Sequence, residues 1–136
     1  MTYQEARRRY PIRVDEKGCW VWTGLKQKNG YGAVIRGDRR RVAHRLVYND
    51  AIGGCLRPEL VLDHLCRNRA CVRPDHLEPV TSRENTLRGE GPTARNARKS
   101  HCLQGHPFTL ANTDRAKDGS RMCRACYLAK RKPRNK

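Results

Sequence analysis

The chain has 136 residues, enough for one ordinary domain or two very small ones. Only 37% are hydrophobic and Phe occurs once, which excludes a large apolar core and makes structural metals or disulfides the expected support. With 30 Lys+Arg against 13 Asp+Glu, the net charge of +17 points to a polyanion as partner, nucleic acid ahead of an acidic membrane face.

The opening "MTYQEARRRYPIR" lacks an apolar h-region, and no long apolar run follows, so the expectation is a cytoplasmic chain without a membrane span. In a reducing cytoplasm the seven cysteines suit metal sites better than disulfides, and their odd number fits two sites plus one spare thiol. "GCWVWTG" (18–24) alternates Trp20 and Trp22 on one face and predicts a short strand. "YGAVIRGDRRRVAH" (31–44) predicts two strands joined at Gly37-Asp38, a dipeptide suited to a two-residue hairpin turn.

Leu46, Val47 and Ile52 recur at helical spacing in 44–54, and Gly53 and Gly54 end that helix. After Pro58 the apolar run to position 65 predicts a strand, and 76–80 a second short extended segment. "TSRENTLRG" (81–89) predicts a helix opened by a Thr81/Glu84 capping box and stopped at Gly89. Residues 90–100 are Gly/Pro/polar and basic and read as a linker; 101–128 reads as a second compact unit. The basic tail, 129–136, is expected to be disordered.

Two groups of soft ligands stand out. Cys66, Cys71 and His76 lie within eleven positions, and zinc takes four thiolate or imidazole ligands in a closed structural site. The fourth must come from elsewhere: Cys19 is the first choice, with Cys55 and His44 as alternatives. The second group is Cys102 and His106 followed by Cys123-x2-Cys126, the form of a small zinc module. His101 could replace His106. A unit so poor in apolar residues would draw most of its folding free energy from the metal.

Assigning Cys66, Cys71 and His76 to zinc leaves Asp63 and His64 unclaimed. A neutral imidazole is the usual base for taking a proton from water, and a carboxylate suits a hard cation such as magnesium. Asn85, inside the capped helix, is either a bland surface amide or an oxygen donor completing that cation site.

The pattern Asp63-His64, Cys66, Cys71, His76, Asn85 resembles the HNH endonucleases, and more narrowly the zinc-bearing His-Cys box branch of the His-Me finger group. "GCWVWTG", "VAHRLVY", "DHLCRNRACVRPDHLEPVTSREN" and "HCLQGHPFTLANT…CRAC" together resemble small phage-encoded HNH proteins over roughly positions 18–128. The resemblance implies an α+β fold, a zinc-stapled ββα-metal core with an N-terminal β-hairpin and a C-terminal zinc module. By the same resemblance 1–89 is the nuclease domain, His64 the general base, and Asp63 and Asn85 the ligands of one Mg²⁺ or Mn²⁺. One zinc falls to Cys19, Cys66, Cys71 and His76 and a second to Cys102, His106, Cys123 and Cys126, both structural. The implied reaction is DNA phosphodiester hydrolysis leaving 5′-phosphate and 3′-hydroxyl ends, nicked or double-stranded, by a monomer or homodimer in the host cytoplasm. A phage terminase is the partner that such proteins suggest. Asp63 makes the chain a blend, because His-Cys box enzymes need not carry an acid before the base.

Double-stranded DNA is expected to meet Arg36, Arg39, Arg40 and Arg41 at the hairpin tip, since a two-stranded ribbon fits the major groove. Arg45 is expected nearer the scissile phosphate. Trp20 and Trp22 are expected to pack in the core rather than stack on bases. A non-catalytic zinc-finger DNA- or RNA-binding protein is the alternative, and it leaves Asp63, His64 and Asn85 without a role. A secreted disulfide-rich protein fits neither the opening segment nor the cysteine parity.

Overall fold

The structure, a computed structural model, describes residues 1–131, and by its internal contacts the chain divides into one unit of Met1–Gly89 and a second beginning at Glu90. It is a small mixed α/β protein, and among the described residues the strands pair as antiparallel couples. No helix among the described residues is long and apolar enough to cross a membrane.

The first unit opens with two elements that the sequence reading did not anticipate. Helix α1 (Tyr3–Arg9) starts on a capping box in which Thr2 Oγ1 accepts from the Glu5 amide. Strand β1 (Ile12–Val14) pairs with β2 (Trp20–Trp22), in register Ile12 to Trp22. All three residues of β2 are buried, and the two faces serve different neighbours. Trp20 and Trp22 join Ala6, Ile12, Ala43, Val47 and Val72 in the main core, while Val21 on the opposite face packs with Cys19, Ala70 and Cys71. Tyr3 and Tyr10 flank the two indoles at ring-centre distances of 5.7 and 6.3 Å. The tryptophans are core residues, as their alternation in so apolar-poor a chain implies.

β3 (Ala33–Arg36) and β4 (Arg39–Val42) form the basic hairpin, turning at Gly37 with φ 61°. Helix α2 (Ala43–Ile52) follows directly and ends at Gly53, whose left-handed φ of 66° lets its amide return to Asn49 and Asp50 carbonyls. β5 (Leu60–His64) pairs with β6 (Leu77–Thr81), placing Asp63 opposite Glu78 and His64 opposite Leu77. Between these strands the cysteine loop runs beside β2: the Trp22 amide donates to Ala70 O at 2.8 Å, and the Val72 amide to Trp20 O at 2.8 Å. A single 3-10 turn, Pro74–His76, then delivers His76. Helix α3 (Ser82–Arg88) carries the predicted capping box, with Thr81 N donating to Glu84 Oε2 at 2.9 Å and Glu84 N to Thr81 Oγ1 at 3.2 Å. It packs on β5 and β6.

The second unit begins with a correction. Within 90–100, read as a linker, lies helix α4 (Pro92–Arg98), started by Pro at its first turn and anchored by fully buried Ala94. The Arg121 guanidinium donates to Asn96 O, tying α4 to a hairpin of β7 (Thr113–Arg115) and β8 (Arg121–Cys123). Helix α5 (Arg124–Lys130) extends two residues into the segment expected to be a disordered tail. Residues 132–136 of that segment lie outside the described residues.

One position in the first unit has no room to spare. A Cβ on Gly32 would stand 2.7 Å from Trp22 Cγ and 2.9 Å from the Ala43 Cβ, so the chain can pass between β2 and α2 only as glycine. Gly32→Ala should therefore destabilise the fold by about 1–3 kcal/mol through overpacking, read as a lower denaturant midpoint at unchanged slope.

Candidate functional site

Cys19, Cys66, Cys71 and His76 come together so that one donor atom from each lies within 4.8 Å of all the others. The Nδ1 of His76 is 3.6 Å from Cys19 Sγ and 3.7 Å from Cys71 Sγ. A tetrahedral zinc with Zn–S of about 2.3 Å and Zn–N of about 2.0 Å sets its donors roughly 3.5–3.8 Å apart, so the cluster has the edge lengths of a closed site. Cys19 is its fourth member. Cys55 is exposed and outside it, and His44 sits on α2 beside His64 instead.

The chemistry of the donors also fits a cation. Burial, together with the neighbouring thiols of Cys66 and Cys19, pushes the Cys71 thiol up to about 12, and burial raises Cys19 as well. Crowded thiols of this kind resist ionising until a metal displaces their protons.

In the second unit Cys102, His106, Cys123 and Cys126 also gather within 4.8 Å. Cys102 Sγ lies 3.5 Å from His106 Nδ1 and 3.7 Å from Cys126 Sγ, and His106 Nδ1 lies 3.3 Å from Cys126 Sγ. His101 is not in the group; its Nδ1 is 2.9 Å from Ser100 Oγ. Hydrogen bonds, first from the Cys126 backbone, draw the Cys123 thiol down to about 6. Asn112, which the sequence reading passed over, binds this site together: its Nδ2 donates to Pro107 O at 2.7 Å and to Cys123 Sγ at 3.5 Å, while its Oδ1 accepts from the Ala125 amide at 2.9 Å. Orienting partners of this sort hold metal ligands in place.

Asp63 and His64 end β5, both buried, at 4% and 6% exposure. His64 does not join the soft cluster. Its Nε2 lies 3.0 Å from the Cys71 carbonyl oxygen. A carbonyl can only accept, so Nε2 carries the proton and Nδ1 keeps the free lone pair. Burial lowers the pKa of His64, against the opposing pull of that carbonyl and of Asp63, so the ring is neutral near physiological pH. Tyr31 at 5.6 Å and His44 at 4.8 Å, ring centre to ring centre, wall the imidazole. The His44 ring meets it edge-on at 83°, and burial takes the His44 pKa down to about 4, so no positive charge competes there.

Asp63 Oδ1 accepts from Arg67 Nη1 at 3.0 Å, whereas Oδ2, buried, has no hydrogen-bond donor. Arg88 Nη1 approaches Oδ2 only to 3.6 Å, being held by Glu78 at 2.5 Å. Asn85 lies half-buried on α3, the helix packed against β5. An orphaned carboxylate oxygen inside a protein is what a hard cation would satisfy, and oxygen donors suit magnesium or manganese.

The Arg45 guanidinium, expected nearer the scissile phosphate, donates to the carbonyls of Leu60, Leu56 and Arg57 at 3.0, 3.0 and 3.1 Å. It is a clamp between α2 and the start of β5. Arg36, Arg39, Arg40 and Arg41 are exposed, and the cross-strand pairs Arg36–Arg39 and Val34–Arg41 put three of these guanidinium groups on one face of the hairpin.

The comparisons with known proteins fall on this same stretch. Residues 41–87 match the HNH endonuclease family. The segment runs from the second hairpin strand through α2, β5, the cysteine loop and β6 to α3, and so contains Asp63, His64 and Asn85. Protein 2.8 of Escherichia phage T7 is 34% identical over 77 residues, which cover 55% of this chain and 51% of that protein. The chain thus spans about half the length of this curated relative. No solved structure matches the chain.

Elemental analysis of the purified chain should return two zinc atoms. Cys66→Ser should lose one of them and Cys126→Ser the other, and a strong chelator should remove both with loss of the near-ultraviolet circular dichroism of Trp20 and Trp22.

Proposed function

We propose that the chain is a DNA endonuclease in which His64 is the general base, with Asp63 and Asn85 holding one divalent cation, and that β5, β6 and α3 are its ββα-metal core. The observation that carries this reading is the hydrogen bond of His64 Nε2 to Cys71 O, 3.0 Å, which leaves Nδ1 as a neutral acceptor. His64 takes a proton from water through Nδ1, and the water oxygen attacks the scissile phosphorus. When bound, the divalent cation supplies Lewis-acid stabilisation of phosphate charge and of the departing 3′ oxygen. The bond between phosphorus and the 3′ oxygen breaks, that oxygen takes a proton from solvent, and the products are a 5′-phosphate and a 3′-hydroxyl end. Tyr31 and His44 restrict the ring to one plane and keep bulk water from its flanks.

The two Asp-His pairs of the sequence divide their work: His64 performs chemistry, and His76 serves the scaffold. Zinc in either soft-ligand site is structural, since four protein donors leave no open position for water. DNA is held through its phosphates by the hairpin arginines 36, 39, 40 and 41, with the second unit lengthening the footprint.

Supercoiled plasmid incubated with the protein and Mg²⁺ or Mn²⁺ should be converted to nicked or linear DNA. His64→Ala should lower that rate by roughly 10²–10⁴-fold at unchanged zinc content and DNA affinity. Intact plasmid with the unaltered protein would instead favour a non-catalytic zinc-bearing DNA binder. Replacing Arg36, Arg39 and Arg41 together by Ala should weaken duplex binding and flatten the plot of log affinity against log salt by about one unit per arginine removed.

A further inference from the structure

The two oxygens of Asp63 are unequally served, and the arginine that serves one of them is itself unusual. Arg67 Nη1 takes Oδ1 at 3.0 Å from a side chain 61% exposed, while the carboxylate beneath it is 5% exposed. The guanidinium therefore covers Asp63 from the solvent side. Arg67 is the one non-glycine among the described residues with a positive φ, 55°, a conformation that disfavours a bulky L residue. Its amide donates to His64 O at 3.0 Å, turning the chain so that position 67 falls back over position 63. Its Nη2 reaches the Arg88 carbonyl at 3.5 Å, at the end of α3.

Stability gives little reason for this arrangement, because an ion pair with so exposed a partner is weak. What the guanidinium does is place a positive charge where a divalent cation would approach the carboxylate. Arg88 already stands 3.6 Å from Oδ2, but Glu78 shares it at 2.5 and 3.2 Å, so Arg67 is the close partner of the carboxylate. Two cations at one carboxylate repel, so Arg67 must leave, and its planar fork is suited to a phosphate.

We infer that Arg67 is a substrate-gated occupant of the Asp63 site: it covers the carboxylate in the free protein and transfers to a non-bridging phosphate oxygen when duplex and divalent cation bind. This rests on Asp63 being a cation ligand, as argued under Proposed function. Cation binding and DNA binding then assist each other by the same factor, and the free chain holds a cation weakly. A protein of net charge +17 that meets many polyanions is thereby kept from loading its cation until a phosphodiester is seated.

The test is Mn²⁺ binding to the zinc-loaded full chain without DNA, followed by the electron paramagnetic resonance signal of free Mn²⁺. Arg67→Gln removes the charge at similar length, and Arg67→Gly is a second variant that accepts the left-handed backbone. Both should bind Mn²⁺ roughly tenfold tighter than the unaltered chain, within the range of ordinary coupling between sites. Both should also bind a duplex more weakly and gain less from added Ca²⁺. Unchanged or weaker Mn²⁺ binding in both variants, with Asp63→Asn abolishing it, overturns the role of Arg67 alone. Mn²⁺ binding by Asp63→Asn equal to that of the unaltered chain overturns the cation site, and this inference with it.

Discussion

One peptide group joins the two chemistries of the first unit. The sulfur of Cys71 belongs to the soft cluster, and its carbonyl oxygen accepts from His64 Nε2 at 3.0 Å. Whatever fixes Cys71 fixes the tautomer of His64. The residue is fully buried, and the N–H of the same peptide group, that of Val72, donates to Trp20 O at 2.8 Å and so orients the Cys71 carbonyl. A chain with larger apolar reserves could hold such a loop by packing alone. Here Val21, Ala70 and the cysteines themselves make up the small buried cluster beside it, and four soft donors placed to hold one ion would make good the missing core.

The same economy explains how charge is arranged around β5. The buried Asp63 is flanked by Arg67 and by an Arg88 already committed to Glu78, which leaves Oδ2 without a donor. Buried carboxylates left partly unsatisfied are costly in a protein that only has to be stable. Here the shortfall coincides with the neutral, oriented His64 and with Asn85 on the adjoining helix α3, and the proposed hydrolysis would give the three a common purpose. Arg45, by contrast, spends its donors on three backbone carbonyls and braces α2 against the strand that carries the site.

Legibility followed the range of the interaction. The capping box at Thr81, the Gly37 turn, the helix stop at Gly53 and the Trp alternation are local codes, and each element lies within a residue or two of its predicted bounds. Soft ligands are legible because few other uses put Cys and His so close together, and only Cys19 had to be chosen from a distance. What stayed hidden depends on chain reversal. Arg67 folds onto Asp63 through a left-handed residue that its side chain gives no reason to expect. Asn112 reaches Cys123 across eleven positions, and His44 meets His64 across twenty. Helices α1 and α4 are short, strongly basic and nearly without apolar period, so charge concealed Ala6 and Ala94, the small residues that bury their inner faces.

The proposed chemistry depends on the protonation pattern that the Cys71 carbonyl imposes on one imidazole, and nitrogen NMR of the zinc-loaded chain labelled at histidine reads it directly. The expected spectrum assigns His64 a proton on Nε2 and an unprotonated, metal-free Nδ1 at neutral pH. A proton on Nδ1 of His64, or a zinc bond at either of its nitrogens, would contradict the account.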